Sequence, residues 1–268
     1  MFCAIIGTGG DGMKYLDKLF EIGCFSRQDV VALTGNEQAA HSMLHDYLNC
    51  GYIERIRRDL YTAISFETKQ SVANRFVIAT HIADDACVSH HSAFEYYGYA
   101  NQVFYEIYVT TASRFSDFNY DGVTFRRVSP RIKSGIDTTN TGIRITDLER
   151  TVIDSIYGFD KFGGLEELLR CLMLVATLRT DKLIVYLDAY EQANLYQKAG
   201  FILMQFSEQF GLPTSFFDYC MSKIPKSKKY LYTEKDALSK HFTLHEEWQL
   251  FAPENLKDML NKGVDLNG

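Results

Sequence analysis

Between Tyr15 and Ala63 the sequence starts and stops a short element again and again, and this punctuation limits the fold more than any other feature. Tyr15, Leu16, Leu19, Phe20 and Ile22 recur at helical spacing, and Gly23 ends the run. Phe25 precedes Ser26, a good N-cap, and Gln28–Leu33 reads as a short second helix with Val30, Val31 and Leu33 apolar. Thr34-Gly35 makes a turn. Asn36 then caps a third helix running to Asn49, with Ala40, Leu44, Tyr47 and Leu48 on its buried stripe. Gly51 ends that helix, and Tyr52–Ile56 and Leu60–Ala63 read as two strands around Arg57-Arg58-Asp59. Short helices followed by a basic hairpin predict a winged helix-turn-helix.

That geometry has a chemistry. The face of the third helix opposite its apolar stripe presents Gln38, His41, Ser42 and His45. Amide, hydroxyl and imidazole groups exchange hydrogen bonds with base edges, and this helix is the element that enters a major groove. Ser26 and Arg27 stand at the start of the second helix, a position suited to phosphate contacts, which orient a protein without reading sequence. Arg55, Arg57 and Arg58 on the wing are placed to reach backbone or a narrow minor groove. The competing reading is a three-helix unit for protein contacts, which the local charge supports: Met1–Ala63 holds 6 basic and 8 acidic residues. The clustering of arginines at the wing, and an outer helix face uncharged after Glu37, favour DNA. His41 and His45 at i, i+4 lack a third ligand of suitable type nearby, so no metal is expected.

The first residues offer a different reading. Phe2–Ile6 followed by Gly7-x-Gly9-x-x-Gly12 has the spacing of a dinucleotide-binding turn, with Val30–Leu33 as a second strand and Glu37 as the ribose acid. No further strand–helix alternation follows, so no cofactor is expected. Gly9-Gly10-Asp11-Gly12 before Met13 is also encodable by a ribosome-binding-type sequence, which makes Met13 the expected start.

Beyond residue 70 the pattern is α+β. A linker-like helix covers Ser71–Ile82, and His90, His91 and Ser92 enter a short helix through Phe94 and Tyr97. Val103–Thr111 and Val123–Ser129 read as strands, with Asp121-Gly122 in the polar loop between them. Thr146 and Glu149 read as a capping box opening a helix through Val152, Ile153 and Ile156. Leu165–Leu178, Lys182–Gln192 and Leu195–Phe210 read as successive helices. The expected organisation is a winged helix over 13–66 and a larger α+β domain over 70–256 that ends in a helical region.

Catalytic signals are weak. His90 and His91 beside Ser92 suggest a nucleophile and base, but no nucleophile elbow is present, and capping or packing explains them better. Glu67-Thr68-Lys69 hints at a metal nuclease but has no partner carboxylate on a strand. Arg126, Arg127, Arg131 and Lys133 form a basic group suited to phosphate or an acidic partner. A non-enzymatic protein is expected.

Composition narrows the class. Hydrophobic residues make up 46% and charged residues 23% of the 268, with only 4 Pro, which excludes a disordered or fibrous chain. No apolar run is long enough for a membrane-spanning helix. Six cysteines without a Cys-x-x-Cys pair read as reduced, mostly buried thiols of a cytoplasmic protein. Net charge is −6, so any nucleic-acid affinity must be local. Arg114–Arg150 holds 7 basic and 5 acidic residues and Thr151–Ser222 holds 5 and 9, which points to faces with different partners.

The order of these features resembles the AbiEi-type antitoxins of type IV toxin–antitoxin (abortive-infection) systems. Ile56-Arg57-Arg58-Asp59-Leu60-Tyr61 is similar to that family's wing, with Asp59 in place of the usual glycine. Val88-Ser89-His90-His91-Ser92-Ala93 resembles the helix opening of its C-terminal domain. Ile145-Thr146-Asp147-Leu148-Glu149-Arg150-Thr151-Val152-Ile153-Asp154 resembles its Glu-Arg-x-x-x-Asp segment, with Asp147 where proline is common. Tyr196–Leu203 and Trp248–Leu256 resemble its closing segments. The resemblance implies an N-terminal domain that binds double-stranded DNA at promoter inverted repeats and represses its own operon. It also implies a C-terminal domain that counters a cognate nucleotidyltransferase-like toxin encoded in the same operon, without need of a stable complex. Two other classes stay open from the residues: a transcriptional regulator with a sensory second domain and no toxin, and a nucleotide-dependent enzyme.

Overall fold

The computed structural model describes residues 15–232, 242–256 and 258–261. The glycine motif at residues 7–12 and the expected start at Met13 lie outside the described residues. Helix α1 (Leu16–Ile22) buries Leu16 and Leu19 and stops at Gly23, whose φ of 74° favours a residue without Cβ. Strand β1 (Cys24–Ser26) leads into α2 (Arg27–Thr34). Ser26 and Asp29 form a reciprocal capping box: Ser26 Oγ accepts from the Asp29 backbone N–H, and the Asp29 carboxylate accepts from the Ser26 N–H at 2.7 Å. Asn36 caps α3 (Glu37–Asn49) by accepting from the backbone of both Gln38 and Ala39. Val30–Leu33 is therefore helical, which removes the second strand that a dinucleotide-binding reading needs.

Strands β2 (Ile53–Arg57) and β3 (Leu60–Ala63) complete an antiparallel sheet of order β1-β3-β2. Its core joins Leu16, Leu19, Phe25, Val30, Ala40, Leu44, Tyr47, Ile53 and Tyr61. The expected stripe of α3 is buried at Ala40, Leu44 and Tyr47, while Leu48 is half-buried.

Contacts divide the chain into two units. The first comprises residues up to Val88, Tyr105–Ser129 and Thr138–Arg144; the second comprises Ser89–Phe104, Pro130–Asp137 and everything from Ile145. In the first unit, α4 (Arg75–Thr80) is capped by Asn74 and is shorter than the expected 71–82. Ser71 instead bridges Ile64, and its hydroxyl donates to the Ala73 carbonyl, which holds that segment extended. Strands β4 (Cys87–Val88), β5 (Glu106–Thr110), β6 (Phe118–Tyr120) and β7 (Val123–Val128) are neighbours in the order β6-β7-β5-β4. The β5–β7 pair is parallel, and the other two pairs are antiparallel. Asp121 and Gly122, at φ 50° and 75°, make the tight β6–β7 turn.

In the second unit, α5 (His91–Tyr96) precedes β8 (Ile136–Thr138) and β9 (Arg144–Thr146), hydrogen-bonded neighbours where the chain passes between units. Helix α6 (Leu148–Gly158) begins one residue later than the expected box requires. Asp147 is the cap, its carboxylate accepting from the Arg150 N–H at 2.8 Å, while the Thr146 hydroxyl pairs with that of Thr151. Helix α7 (Gly164–Leu174) does not run to Leu178, because Val175 is extended and the Gln209 amide caps the carbonyls of Leu172, Met173 and Val175. Helix α8 (Thr180–Tyr190) closes at Glu191 in the left-handed conformation. The segment expected as one helix over 195–210 is two, α9 (Ala193–Met204) and α10 (Ser207–Phe210). A further helix, α11 (Thr214–Lys223), and a small sheet of β10 (Lys229–Tyr230), β11 (Thr243–His245) and β12 (Leu250–Ala252) were not expected. Both units are α+β. Among the described residues no helix is long and apolar enough to cross a membrane.

One polar frame organises the second unit. Arg150, 1% exposed, donates to Asp154 Oδ1 at 2.6 Å and to the carbonyls of Ser134 and Ile132. Tyr190 donates to the same Asp154 oxygen. Asp147 accepts from Lys182 and Tyr186, and Glu149 accepts from the Arg179 backbone. Elsewhere in this unit, Gly200 of α9 lies close against the Trp248 ring, and a Cβ there would overlap the indole. Gly200→Ala is therefore expected to lose about 1–3 kcal/mol through overpacking, although alanine favours a helix. Urea unfolding followed by the emission of Trp248, the sole tryptophan, measures it; an unchanged or higher midpoint would contradict this packing.

Candidate nucleic-acid interface

The N-terminal three helices and hairpin hold most of the residues singled out for DNA contact. Gln38, His41, Ser42 and His45 are all exposed on α3, opposite the buried Ala40, Leu44 and Tyr47. Their spacing puts them on one side of a helix that is anchored by its other side. His45 lies 3.5 Å from Asp46 and within hydrogen-bond reach of Asn49, so its ring is steadied from its own helix. Ser26 has a structural task already: its hydroxyl serves the α2 cap. Arg27 is half-buried and reaches Glu37 at 3.5 Å, an ion pair that ties the start of α2 to the start of α3. Exposed pairs of this kind are weak and yield readily to a phosphate.

The hairpin arginines differ from one another. Arg58 is exposed at the turn, 3.6 Å from Asp59, which takes φ 58° where glycine is favoured. Aspartate is among the few side chains that tolerate this conformation. Arg55 is exposed, and its Nε donates to the Arg57 carbonyl across a register shift in the β2–β3 ladder. Arg57 is not a free wing cation. Its guanidinium lies over the rings of Phe115 and Phe118 at 5.3 and 5.2 Å, and Nη1 is buried without a hydrogen-bond partner. Desolvation there lowers the pKa of Arg57 from its ordinary value.

The basic group Arg126, Arg127, Arg131 and Lys133 is divided between the two units, and Arg126 and Arg127 are engaged within theirs. Arg126 pairs with Glu106 at 2.6 Å and Asp117 at 3.2 Å, and the hydrogen bond to Glu106 chiefly raises its pKa. Arg127 spends its guanidinium on the carbonyls of Thr111, Ala112 and Ser113 and on the Ser129 hydroxyl. Both belong to the first unit, whereas Arg131 and Lys133 belong to the second. Arg131 lies over the Tyr157 ring, and Lys133 is exposed. Glu67 and Lys69 sit in an exposed turn.

His90 and His91 pack as the sequence suggests, and they do more. His90 holds the N-cap position of α5 at φ 55° without capping through its side chain. Its ring packs 3.8 Å from that of Phe162, and burial pushes its pKa down to about 4. His91, 2% exposed, stacks on Phe104 and donates through Nε2 to Glu167 Oε1 at 2.9 Å. Cys171 donates to the same oxygen, and Gln102 donates to Glu167 Oε2 at 2.6 Å. Burial alone would raise the Glu167 pKa, but these donors outweigh it and the net shift is downward. Burial, with Glu167 beside it, raises the Cys171 thiol. Sequence reasoning missed Glu167 and Cys171; their i, i+4 spacing on a foreseen helix was the available signal.

The two kinds of hairpin arginine give a test. Arg57→Ala should destabilise the fold by about 1 kcal/mol through lost stacking on Phe115 and Phe118. Arg58→Ala should leave the unfolding midpoint unchanged. Equal midpoints for both variants in chemical denaturation would contradict the split.

No family profile and no curated protein matches this sequence. Among solved structures, the chain is similar in fold to the RV2827C protein from Mycobacterium tuberculosis, with a TM-score of 0.62 at 14% identity. The match covers 95% of each chain. At this identity the likeness is one of fold: an α+β arrangement carried along nearly the whole length.

Proposed function

We propose that this protein is a DNA-binding antitoxin of the type IV class that represses its own operon through a winged helix-turn-helix and counters a toxin through its C-terminal region. The observation that carries the DNA-binding half is the exposed side of α3, where Gln38, His41, Ser42 and His45 stand together beside the Asp46 carboxylate, in the same small fold as a hairpin bearing exposed Arg55 and Arg58. The order helix–strand–helix–helix–strand–strand, with sheet order β1-β3-β2, supports the winged-helix reading. In it, α3 enters the major groove, Arg27 and the backbone at the start of α2 meet phosphate, and the hairpin arginines follow the adjacent backbone. The net charge of −6 is compatible with this, since affinity comes from local cations and counterion release. The toxin-countering half rests on the motif resemblance, and its partner is the product of an adjacent nucleotidyltransferase-like gene.

A second reading, a transcriptional regulator whose second unit is sensory and which has no toxin, is favoured by one observation. The second unit encloses a small cavity lined by His91, Ser155, Glu167 and Cys171 among apolar rings. The neighbouring reading frame separates the two, and growth rescue on co-expression with that gene tests the antitoxin half.

Binding to the upstream DNA, measured by fluorescence anisotropy over a salt series, tests the repressor half. Arg55→Ala and Arg58→Ala should weaken binding to all sequences and each reduce the slope of log K against log salt by about one. Gln38→Ala or Ser42→Ala should change the sequence preference instead. Absence of salt-sensitive binding to promoter DNA would overturn this half.

A further inference from the structure

Two segments that are distant in sequence converge on one buried polar cluster in the second unit. His91 opens α5, and Glu167 and Cys171 lie one turn apart on α7. Their donor atoms all lie within 4.8 Å of one another, the sole such group of three among the described residues. His91 Nε2 is 2.9 Å and Cys171 Sγ 3.7 Å from Glu167 Oε1. Two donors of one zinc ion, at about 2.0 to 2.3 Å from it, stand about 3.3 to 3.8 Å apart in a tetrahedral site. To hold an ion the cluster opens by a few tenths of an ångström at the His91–Glu167 contact, and His91 and Cys171, within 4.8 Å of each other, close by up to about 1 Å.

A second observation points to an occupant. His91 Nδ1 and Ser155 Oγ are buried polar atoms without a hydrogen-bond partner, on residues 2% and 4% exposed. Both residues line the same cavity as Glu167 and Cys171, with Phe94, Phe159 and Phe162 as its apolar wall. Its room for solvent is about 10 Å³, enough for one water or one ion and too small for an organic ligand. Buried polar groups left unpartnered are costly; here the Ser155 hydroxyl is open to an occupant of the cavity, and His91 Nδ1 is open to take the ring proton when Nε2 binds that occupant.

We propose that His91, Glu167 and Cys171 form a binding site for one zinc-class divalent cation inside the second unit. One imidazole, one carboxylate and one thiolate are the mixed N, O and S donors that select zinc over the hard cations magnesium and calcium. The ion takes the place of the proton on His91 Nε2, which moves to the open Nδ1, and the Cys171 thiol releases its proton to solvent. The carboxylate and thiolate then balance its two positive charges inside a low-dielectric pocket. Ser155 or a water completes the fourth position. Gln102 holds the second oxygen of Glu167 at 2.6 Å, and Phe104 fixes the imidazole plane, the kind of outer support that orients metal ligands. Because the ligands come from two helices brought together by folding, the ion adds stability to the folded unit alone.

Full-length protein purified without chelator should retain about one zinc per chain by elemental analysis. Metal-free protein titrated with cobalt should develop thiolate-to-metal absorption and the visible bands of four-coordinate cobalt. Zinc should raise the thermal midpoint of the wild type. Cys171→Ser with unchanged circular dichroism should lose the thiolate band, and Glu167→Gln should bind cobalt at least tenfold more weakly. Should Cys171→Ser fail to fold, the wild-type cobalt spectrum and Glu167→Gln decide alone. Wild-type protein that takes up neither zinc nor cobalt overturns the proposal. So does a cobalt spectrum that survives unaltered in Cys171→Ser, which would place the metal elsewhere.

Discussion

The second unit depends on a buried charge whose three nitrogens each meet an acceptor. Arg150 is the largest fully buried side chain among the described residues, and removing it from water would cost several kcal/mol if any of its donors were idle. They are not idle: Asp154, one turn along α6, takes Nε, and the carbonyls of Ser134 and Ile132 take the remaining nitrogens. The loop before β8 is thereby held to α6, and Tyr190 brings α8 to the same carboxylate. Asp147 and Glu149, at the start of α6, reach α8 and the backbone before it through Lys182, Tyr186 and Arg179. A segment with few prolines and no disulfide among the described residues gains its uniqueness from this network, because a misplaced strand or helix would leave a charge buried alone.

The first unit is built on a different rule. Its helices are closed by local caps, Ser26 with Asp29 and Asn36 with the first turn of α3, and its core is almost wholly apolar. Local caps leave the outer side of α3 without a structural duty, so its polar side chains are available to a partner. Arg57 marks the boundary between the two uses: it belongs to the basic hairpin in sequence, yet its stacking on Phe115 and Phe118 makes it part of the unit's own packing.

Elements that are amphipathic and punctuated by caps were legible in the sequence. The limits of α3, the two hairpin strands, the exposed face of Gln38 to His45 and the burial of four of the five described cysteines follow from periodicity and capping. The segment Ile145–Asp154 was noticed as a motif, and its Arg150 and Asp154 prove to be the polar centre of the second unit. What stayed hidden depends on tertiary contacts. Strands of two or three residues, such as β4, β8 and β10, carry no measurable alternation. The cap of α6 shifted from Thr146 to Asp147 because Thr146 pairs with Thr151, a contact the spacing alone does not distinguish. Helix α7 ends early because Gln209, far along the chain, serves its last carbonyls. The contacts that engage Arg126 and Arg127 were hidden because their carboxylate and carbonyl partners are remote in sequence. For the same reason the His91–Glu167–Cys171 cluster was invisible until α5 and α7 were placed.

The central claim is that α3 and the hairpin act as one duplex-reading surface. Hydrogen–deuterium exchange of the full chain, with and without the DNA upstream of its own gene, tests it most directly. The account requires slowed exchange over Arg27–Gln38 and Arg55–Asp59, with the buried segment around Arg150 unaffected. Protection confined to the second unit, with none at the hairpin or at the start of α3, would contradict it.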